Sequence, residues 1–276
     1  MFEPRNYVPT PAELAGRVVA ITGAGSGIGR AVALACARCQ ANVILVGRDV
    51  AKLDAVHREI AAAGWPEASI ALLDLERAVA RDYDALADAL LARYGRLDGV
   101  LHNAGLLGTL TPIEQYDVPT WCRVLHVNVT AAFVLTQVLL PALKRSPDAS
   151  VVFTASSVGR RGRAYWGAYA VSKFALEGLS QVLADELEGI SHIRVNTLNP
   201  GRARTAMRRQ AYPAEDFDKV PLPDTLTAAY IALLGPASRG VTGGAFDGQP
   251  SIAGAASAGA SAESSSRSSP GSSSRA

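Results

Sequence analysis

The sequence has little of several residue types that mark other classes of protein. Its 276 residues include three cysteines, too few for a disulfide framework and typical of a reducing compartment. A formal net charge of only +2 gives no electrostatic case for binding nucleic acid or an anionic membrane. These shortages argue against a disulfide-stabilised secreted domain and against a nucleic-acid-binding protein.

Targeting segments and metal motifs are also scarce. The N-terminal residues 1–14, MFEPRNYVPTPAEL, lack the apolar core of a signal peptide, and we expect no apolar run to approach the ~20 residues of a membrane span. A cytoplasmic protein is therefore expected. Cys36 and Cys39 form a C-x-x-C inside an Ala-rich helical run, but a zinc site needs two more ligands and none is evident. We predict that these thiols pack in the core and that the protein has no metal site.

What the chain does have is enough apolar residues for one large core. It is 49% hydrophobic and 19% charged, as in soluble globular proteins, and its length suits one α/β domain. Residues 251–276 are mostly Ser, Ala and Gly, a composition that cannot bury a core. We expect an N-terminal arm over residues 1–12, a single domain over residues 13–250 and a disordered tail over residues 251–276.

Tyr169 and Lys173 are four residues apart in a helical pattern, so their side chains share one helix face. A cation fixed beside a phenol favours the phenolate and lowers its pKa toward neutral pH, where acid–base catalysis is most effective. With eight Tyr and four Lys in the chain, about 0.12 such pairs are expected by chance. The pair indicates an acid–base site only if its surroundings support one.

A glycine-rich turn follows the first strand-like run, Val18 to Ile21, and an Ala-rich helical pattern follows the glycines. This order is the context of a dinucleotide-binding loop. Gly23 would allow the tight turn, Gly27 would let the backbone approach a pyrophosphate, and Gly29 would let the helix pack close to the strand. The helix N-terminus would then bind the phosphates. A plain glycine turn is the alternative, because the spacing T-G-x-x-x-G-x-G differs from G-x-G-x-x-G.

Further strand-like runs end at residues that suit a nucleotide. Arg48 follows the run Asn42 to Val46, where an arginine accommodates the 2′-phosphate of NADP; a surface arginine without a partner is the alternative. Asp74 ends the third run and suits either a carboxylate near the adenine or a cap of the next helix. Asn103-Ala104-Gly105 ends the fourth run with side chains small enough to leave room for a ligand.

The run from Ile113 to Leu143 is mostly helical and apolar on nearly every face, so we expect a helix buried all round, against the sheet and against another subunit. Asn128 lies inside it and must be hydrogen-bonded, either by bridging backbone groups or by holding a water. The alternation of strands and helices predicts an α/β protein. We expect one doubly wound parallel-sheet Rossmann fold with about seven strands and helices on both faces.

Together these motifs resemble the short-chain dehydrogenase/reductase family over roughly residues 13–250. Segments such as HNAGLLG and NPGRARTAMRRQAYPAED resemble its bacterial YciK-like oxidoreductase subgroup in particular. The resemblance favours Ser156 over Ser157, because the family usually has Gly three residues and Tyr thirteen residues after its catalytic Ser, here Gly159 and Tyr169. His102 departs from the family, which usually has Asn there, and we expect this change to adjust the pocket floor. The matching motifs are Thr22-Gly23-x-x-x-Gly27-Ile28-Gly29, Asn103-Ala104-Gly105, Asn128, Ser156, Tyr169-x-x-x-Lys173 and Pro200-Gly201-x-x-x-Thr205.

The resemblance implies an NADP(H)-dependent oxidoreductase acting on a carbonyl or alcohol substrate, with NAD(H) as the alternative cofactor. Tyr169 would be the proton donor or acceptor, and Ser156 would hydrogen-bond the substrate oxygen. Lys173 would hold the nicotinamide ribose and lower the pKa of Tyr169, and Asn128 would connect Lys173 to solvent through a water. The cofactor would contact Thr22, Gly23, Gly25, Ser26, Gly27, Ile28, Gly29, Arg48, Asp74, Leu75, Asn103, Ala104, Gly105, Tyr169, Lys173, Pro200, Gly201 and Thr205.

For the substrate, the resemblance places a mobile lid at residues 207–224. An apolar pocket with arginines at its rim favours a small carbonyl compound with an anionic handle, and solvated arginines are the alternative reading. A 3-oxoacyl thioester reductase and a non-catalytic dinucleotide-binding redox sensor are alternative functions. The family also implies a homodimer or homotetramer. The expected substrate residues are Leu106, Tyr165, Trp166, Arg208 and Tyr212.

Overall fold

In the computed structural model, which describes residues 2–250, seven parallel strands form one sheet in the order β3-β2-β1-β4-β5-β6-β7. The chain builds one half of the sheet outward from β1 and then returns to start the other half at β4. The resulting switch point between β1 and β4 is where open α/β sheets bind ligands. The predicted fold class is confirmed, and the predicted tail lies outside the described residues. The strands are β1 (Val18–Thr22), β2 (Asn42–Gly47), β3 (Ser69–Leu72), β4 (Gly99–His102), β5 (Ala149–Thr154), β6 (Ile193–Asn199) and β7 (Ala245–Asp247).

Helices cover both faces of the sheet and bury one apolar cluster on each. The first cluster includes residues of α1, α2 and α8, and the second includes residues of α3, α5 and α6. Cys36 and Cys39 are buried in the first cluster, which confirms the packing role predicted for them. The helices are α1 (Gly27–Arg38), α2 (Val50–Ala62), α3 (Ala80–Tyr94), α4 (Val118–Leu125), α5 (Ala131–Leu143), α6 (Gly167–Leu187), α7 (Ala206–Ala211) and α8 (Thr227–Leu234).

The segment from Ile113 to Leu143 differs from the single helix that was expected. It contains a short 3₁₀ turn, then α4, a π-helical turn over His126–Thr130, and α5. A π turn carries one extra residue and often lies at a functional position. Here it places Asn128 in the interior, 1% exposed.

One expectation about the apolar runs of the chain was wrong. The helical run Val118–Leu143 has 26 residues, and an 18-residue window within it has a mean hydropathy of 1.6, so an apolar run of membrane-spanning length and composition does exist. Its inner face packs on the sheet through side chains such as Leu135 and Leu139, as in a core helix. Its outer face is open within one chain, where Phe133 is 46% exposed, and burial of this face against another subunit stays a prediction.

A buried ionic cluster ties together the amino ends of the central strands, at the sheet edge opposite the glycine turn. Asp148, just before β5, accepts hydrogen bonds from Arg17 at 3.0 Å and from Arg194 of β6 at 3.1 Å. Asp98, just before β4, accepts from the backbone N–H of Val18 at 2.9 Å. Because each buried charge has a partner, the cluster avoids the large cost of an isolated buried ion and fixes the strand register.

Candidate active site

The β1–α1 turn makes the close approach that its glycines predict. Gly23 and Gly27 have φ angles of +68° and +54°, in the left-handed region that favours glycine. A Cβ on Gly29 would lie 2.3 Å from the carbonyl oxygen of Gly23, so only glycine fits there. Ser26 precedes α1 but does not cap it with its side chain, which leaves the first N–H groups of the helix available to a phosphate.

The ends of β1 and β4 are joined by a short hydrogen-bonded network. The hydroxyl of Thr22 accepts from the backbone N–H groups of Asn103 and Ala104 at 2.9 and 3.0 Å and donates to the carbonyl of Leu101 at 3.3 Å. The side-chain amide of Asn103 donates back to the Thr22 carbonyl at 3.3 Å. These bonds hold the two strand ends at the switch point in one geometry.

Arg48 lies at the end of β2 and lines a cavity of about 350 Å³. Its guanidinium contacts Glu76 at 3.1 Å and Asp74 at 3.5 Å, so it is not an arginine without a partner. Arg123 of α4 holds the same Glu76 carboxylate through two hydrogen bonds of 2.8 and 2.9 Å. Asp74 does not cap a helix, since α3 begins only at Ala80.

On α6, Tyr169 and Lys173 share one buried face, as their spacing predicts. Tyr169 is 9% and Lys173 is 3% exposed. The Lys173 ammonium donates to the carbonyl of Thr154 at 2.6 Å and lies 5.6 Å from the centre of the Tyr169 ring. Ser156 follows β5 and lines the same cavity, so the structure brings the predicted Ser, Tyr and Lys together.

Burial is the largest influence on the protonation of both groups at this site. Burial raises the pKa of Tyr169 to about 12, and the neighbouring Ser156 hydroxyl only partly offsets this. Burial also lowers the pKa of Lys173 to about 8, opposed by the charge of Glu177. Desolvation disfavours the charged form of each group, and the lowering of the Tyr169 pKa by Lys173 stays a prediction. The phenol is therefore protonated at neutral pH.

Asn128 connects the loop after β4 to α6. Its side-chain oxygen accepts from the Leu106 N–H at 2.7 Å, and its amide donates to the Leu106 carbonyl and to the Ser172 hydroxyl, both at 2.9 Å. Ser172 in turn donates to the carbonyl of Tyr169 at 2.7 Å. Of the two roles considered for this amide, the bridging of backbone groups is the one that the structure shows.

A cavity of about 410 Å³ joins the glycine turn to the Tyr169 hydroxyl. Trp166, Arg208 and Tyr212 line it as expected, but two of the five expected substrate residues do not. Tyr165 is 62% exposed, because its left-handed backbone, φ +74°, turns the ring to solvent. Leu106 lies in the adjoining cavity beside Arg48, since both its backbone polar groups are held by Asn128.

His102 belongs to the core and not to the pocket floor. It is 4% exposed, its ring stacks on Phe153 at 4.8 Å, and its Nε2 shares a 2.8 Å hydrogen bond with the Thr136 hydroxyl. Burial lowers the pKa of His102 to about 3, so the ring is neutral. The expected effect of this residue on the pocket was wrong.

Three residues of the site were missed. Ser172 directly precedes Lys173, and Glu177 follows it by one helical turn, so helix periodicity could have found both. Lys52 lines the cavity that holds Arg48 and pairs with Asp49 at 2.8 Å. Lys52 lies in the first turn of α2, shortly after β2 ends. This position is the only signal in the sequence that Lys52 belongs to the site.

The described residues provide no metal-binding cluster, and the other large depression is separate from this site. Within residues 2–250, no three His, Cys, Asp or Glu side chains converge to hold a metal ion. A shallow depression of about 550 Å³ lies between β3 and α3, and Asp74 is the only predicted site residue in its lining.

The fold and this site define an NAD(P)-binding oxidoreductase of the Rossmann type, and comparison with known proteins identifies the family. The short chain dehydrogenase profile matches residues 17–216. The protein belongs to the short-chain dehydrogenase/reductase family.

Its relatives include YciK-like proteins. The chain is 47% identical to the uncharacterized oxidoreductase YciK of Escherichia coli K12, with 89% of this chain and 96% of that protein covered. A short-chain dehydrogenase from Pseudomonas syringae has a TM-score of 0.87 and 51% identity, covering 88% of this chain and 99% of that one. A Shigella flexneri short-chain dehydrogenase complexed with NADP has a TM-score of 0.83 and 47% identity, covering 87% of this chain and 100% of that one.

Proposed function

We propose that the protein is an NADP(H)-dependent carbonyl reductase in which Tyr169 is the proton donor. The observation that carries this proposal is the convergence of Ser156, Tyr169 and Lys173 on a cavity continuous with the β1–α1 turn. That turn has the left-handed glycines and the uncapped helix start that a pyrophosphate requires. Bound NADPH supplies the hydride.

The protonated phenol fits the role of the acid in the reducing direction. With its pKa raised to about 12, Tyr169 is a protonated acid at neutral pH, ready to donate to the oxygen of a carbonyl as negative charge develops there. Ser156 hydrogen-bonds that oxygen and stabilises the charge. Lys173 holds the nicotinamide ribose, and Asn128 and Ser172 keep the start of α6 in place for both residues.

The 2′-phosphate is assigned to Arg48 and Lys52. These are the cationic side chains that line the cavity beside the glycine turn. Each is paired with carboxylates, Arg48 with Glu76 and Asp74, and Lys52 with Asp49. Because Arg123 also holds Glu76, that carboxylate stays neutralised when Arg48 turns to a phosphate. A relative complexed with NADP supports the assignment.

Replacing Arg48 by Ala is expected to weaken NADPH binding about 10- to 100-fold, as for the loss of a charge-assisted hydrogen bond to a phosphate. NADH has no 2′-phosphate, so its binding should hardly change. Fluorescence titration with both cofactors measures the ratio. Arg58→Ala removes an exposed arginine of α2 that pairs with Asp54 and serves as the control. An unchanged NADPH/NADH ratio in Arg48→Ala would show that the 2′-phosphate binds elsewhere.

The acid–base site should also respond to Glu177, which is buried one turn after Lys173 and accepts from Arg160 at 2.8 Å. Its negative charge opposes the lowering of the Lys173 pKa. In Glu177→Gln the pKa of Lys173 should therefore fall further below 8, and the loss of activity at alkaline pH should begin at lower pH. A kcat/KM profile from pH 6 to 10 measures this, with Glu186→Gln on the exposed face of α6 as the control. A shift of the alkaline limb of the kcat/KM profile to higher pH would contradict the charge assignment.

A redox sensor without catalysis is the competing function. NADPH oxidation over a panel of ketones, aldehydes and 3-oxoacyl thioesters separates the two. Tight NADPH binding with no turnover of any of these compounds would favour the sensor. The intact Ser156, Tyr169 and Lys173 set favours the reductase.

We also infer that the protein self-associates through the outer faces of α5 and α6. Phe133, Val171, Phe174 and Val182 are 43–56% exposed there, and large exposed apolar patches mark association surfaces. Sedimentation equilibrium would show a single 28.8 kDa species if this inference is wrong.

A further inference from the structure

Every cationic side chain that lines the candidate active-site cavity has a partner in the described part of the chain. Lys173 donates to a backbone carbonyl at the end of β5. Arg204 contacts the Asp218 carboxylate at 3.2 Å. Arg208 donates two hydrogen bonds, of 2.6 and 2.7 Å, to the two oxygens of Glu215. Both arginines of the cavity lining are therefore already paired with a carboxylate.

Arg208 lines the cavity, and Glu215, which lies outside the lining, holds its guanidinium. Both side chains are only 20% exposed, and the pair has the two-bond geometry that makes arginine–carboxylate contacts strong. Hydrogen bonds from Arg208 lower the pKa of Glu215, so this carboxylate stays ionised at neutral pH. A substrate carboxylate could reach Arg208 only by competing with Glu215, which would exchange one ion pair for another and leave Glu215 with the more distant Arg202, 3.8 Å away.

Aromatic and aliphatic side chains form the rest of the wall next to Tyr169. The Trp166 ring lies between Tyr169 and Tyr212, with centroids 5.8 Å from each. Leu107 and Met207 belong to the same apolar cluster. Such a surface gains from contact with a flat or cyclic apolar group.

The ion pair and the aromatic wall are connected through Tyr212. The guanidinium of Arg208 lies 3.7 Å from the centre of the Tyr212 ring. From the other side, Arg163 donates a 2.8 Å hydrogen bond to the Tyr212 hydroxyl. Glu215 thus holds Arg208 where it supports the aromatic wall and away from a ligand anion.

We propose that the cavity accepts a neutral carbonyl compound bearing an apolar ring, and that Glu215 excludes carboxylate-bearing analogues by occupying Arg208. This inference rests on the proposed reductase function for the identity of the reacting group. The arrangement argues against the anionic handle that the arginines of the sequence suggested.

Two para-substituted aryl methyl ketones test the proposal. One is para-methylacetophenone, which is neutral, and the other is para-acetylbenzoate, which carries a carboxylate. Calorimetry with NADP⁺-saturated protein measures their binding without turnover. The wild-type protein should bind the neutral ketone at least about tenfold more tightly. Glu215→Gln frees a charged donor and should shift this ratio toward the carboxylate by about tenfold or more, the worth of one charge-assisted hydrogen bond.

Two further variants isolate the cause. Adding Arg208→Gln to Glu215→Gln should abolish the gain for the carboxylate, because no guanidinium remains to bind it. Glu59→Gln breaks an exposed pair with Arg30 that lies outside the cavity lining, and it should leave the ratio unchanged. The wild-type ratio tests the substrate class whatever the stability of the variants.

Equal or tighter binding of para-acetylbenzoate by the wild-type protein would overturn the proposal, as would failure of both ketones to bind. No shift of the ratio in a folded Glu215→Gln variant would overturn the role of Glu215. Binding with the expected preference but without NADPH oxidation would support the cavity assignment and contradict the reductase function instead.

Discussion

Tyr169→Phe is expected to lower kcat for ketone reduction by about 10³-fold while NADPH still binds, because a positioned general acid contributes about 10²- to 10⁴-fold. The substitution removes one oxygen and keeps the ring against Trp166 and the apolar cluster around it, so the cavity should keep its shape. NADPH oxidation under saturating ketone gives kcat, and fluorescence titration gives the NADPH Kd.

Tyr165→Phe is the matched control for this prediction. It removes the same atom from a tyrosine four residues earlier, whose ring is exposed, and activity should be unchanged. Retention of most activity in Tyr169→Phe with normal cofactor binding would assign the proton to another donor. A parallel loss of NADPH binding would show instead that the variant disturbs the cofactor site.

The fold could be predicted from the sequence because buried parallel strands are continuous apolar runs bounded by small or polar residues. β1 and β5 are buried along their whole length, and β1 begins at its predicted first residue, Val18. The glycine turn was equally predictable, since Gly29 fulfils a steric requirement that no other residue can meet. Residues that act through backbone geometry or helix spacing could thus be predicted from the sequence.

Properties that depend on contacts between distant parts of the chain could not be predicted from the sequence. Arg208 looked like a free cation because its partner, Glu215, is reached through the irregular chain after α7 and not through a helical spacing. Tyr165 looked like a pocket residue because its left-handed backbone has no signal in the sequence. The pKa of Tyr169 is a related case: the sequence shows the neighbouring lysine but not the depth of burial, and burial raises this pKa.

Gly29→Ala is expected to weaken NADPH binding about 10- to 100-fold and to lower the Tm. The added Cβ would lie 2.3 Å from the Gly23 carbonyl oxygen and 2.7 Å from the side-chain nitrogen of Asn103. Neither atom can yield freely, since Asn103 is bonded to Thr22 and the Gly23 oxygen is backbone. The start of α1 must therefore move away from β1, at about 1–3 kcal/mol for overpacking.

This displacement would move the N–H groups at the start of α1 that are assigned to the pyrophosphate. NADPH binding and stability should therefore decline together. Gly178→Ala is the matched control: Gly178 lies within α6, a Cβ there would meet nothing within 4 Å, and alanine should stabilise the helix by up to about 1 kcal/mol. Calorimetric Tm and NADPH titration on both variants test the assignment. A Gly29→Ala protein that loses stability but binds NADPH normally would separate the packing role of this glycine from cofactor binding and place the pyrophosphate away from the start of α1.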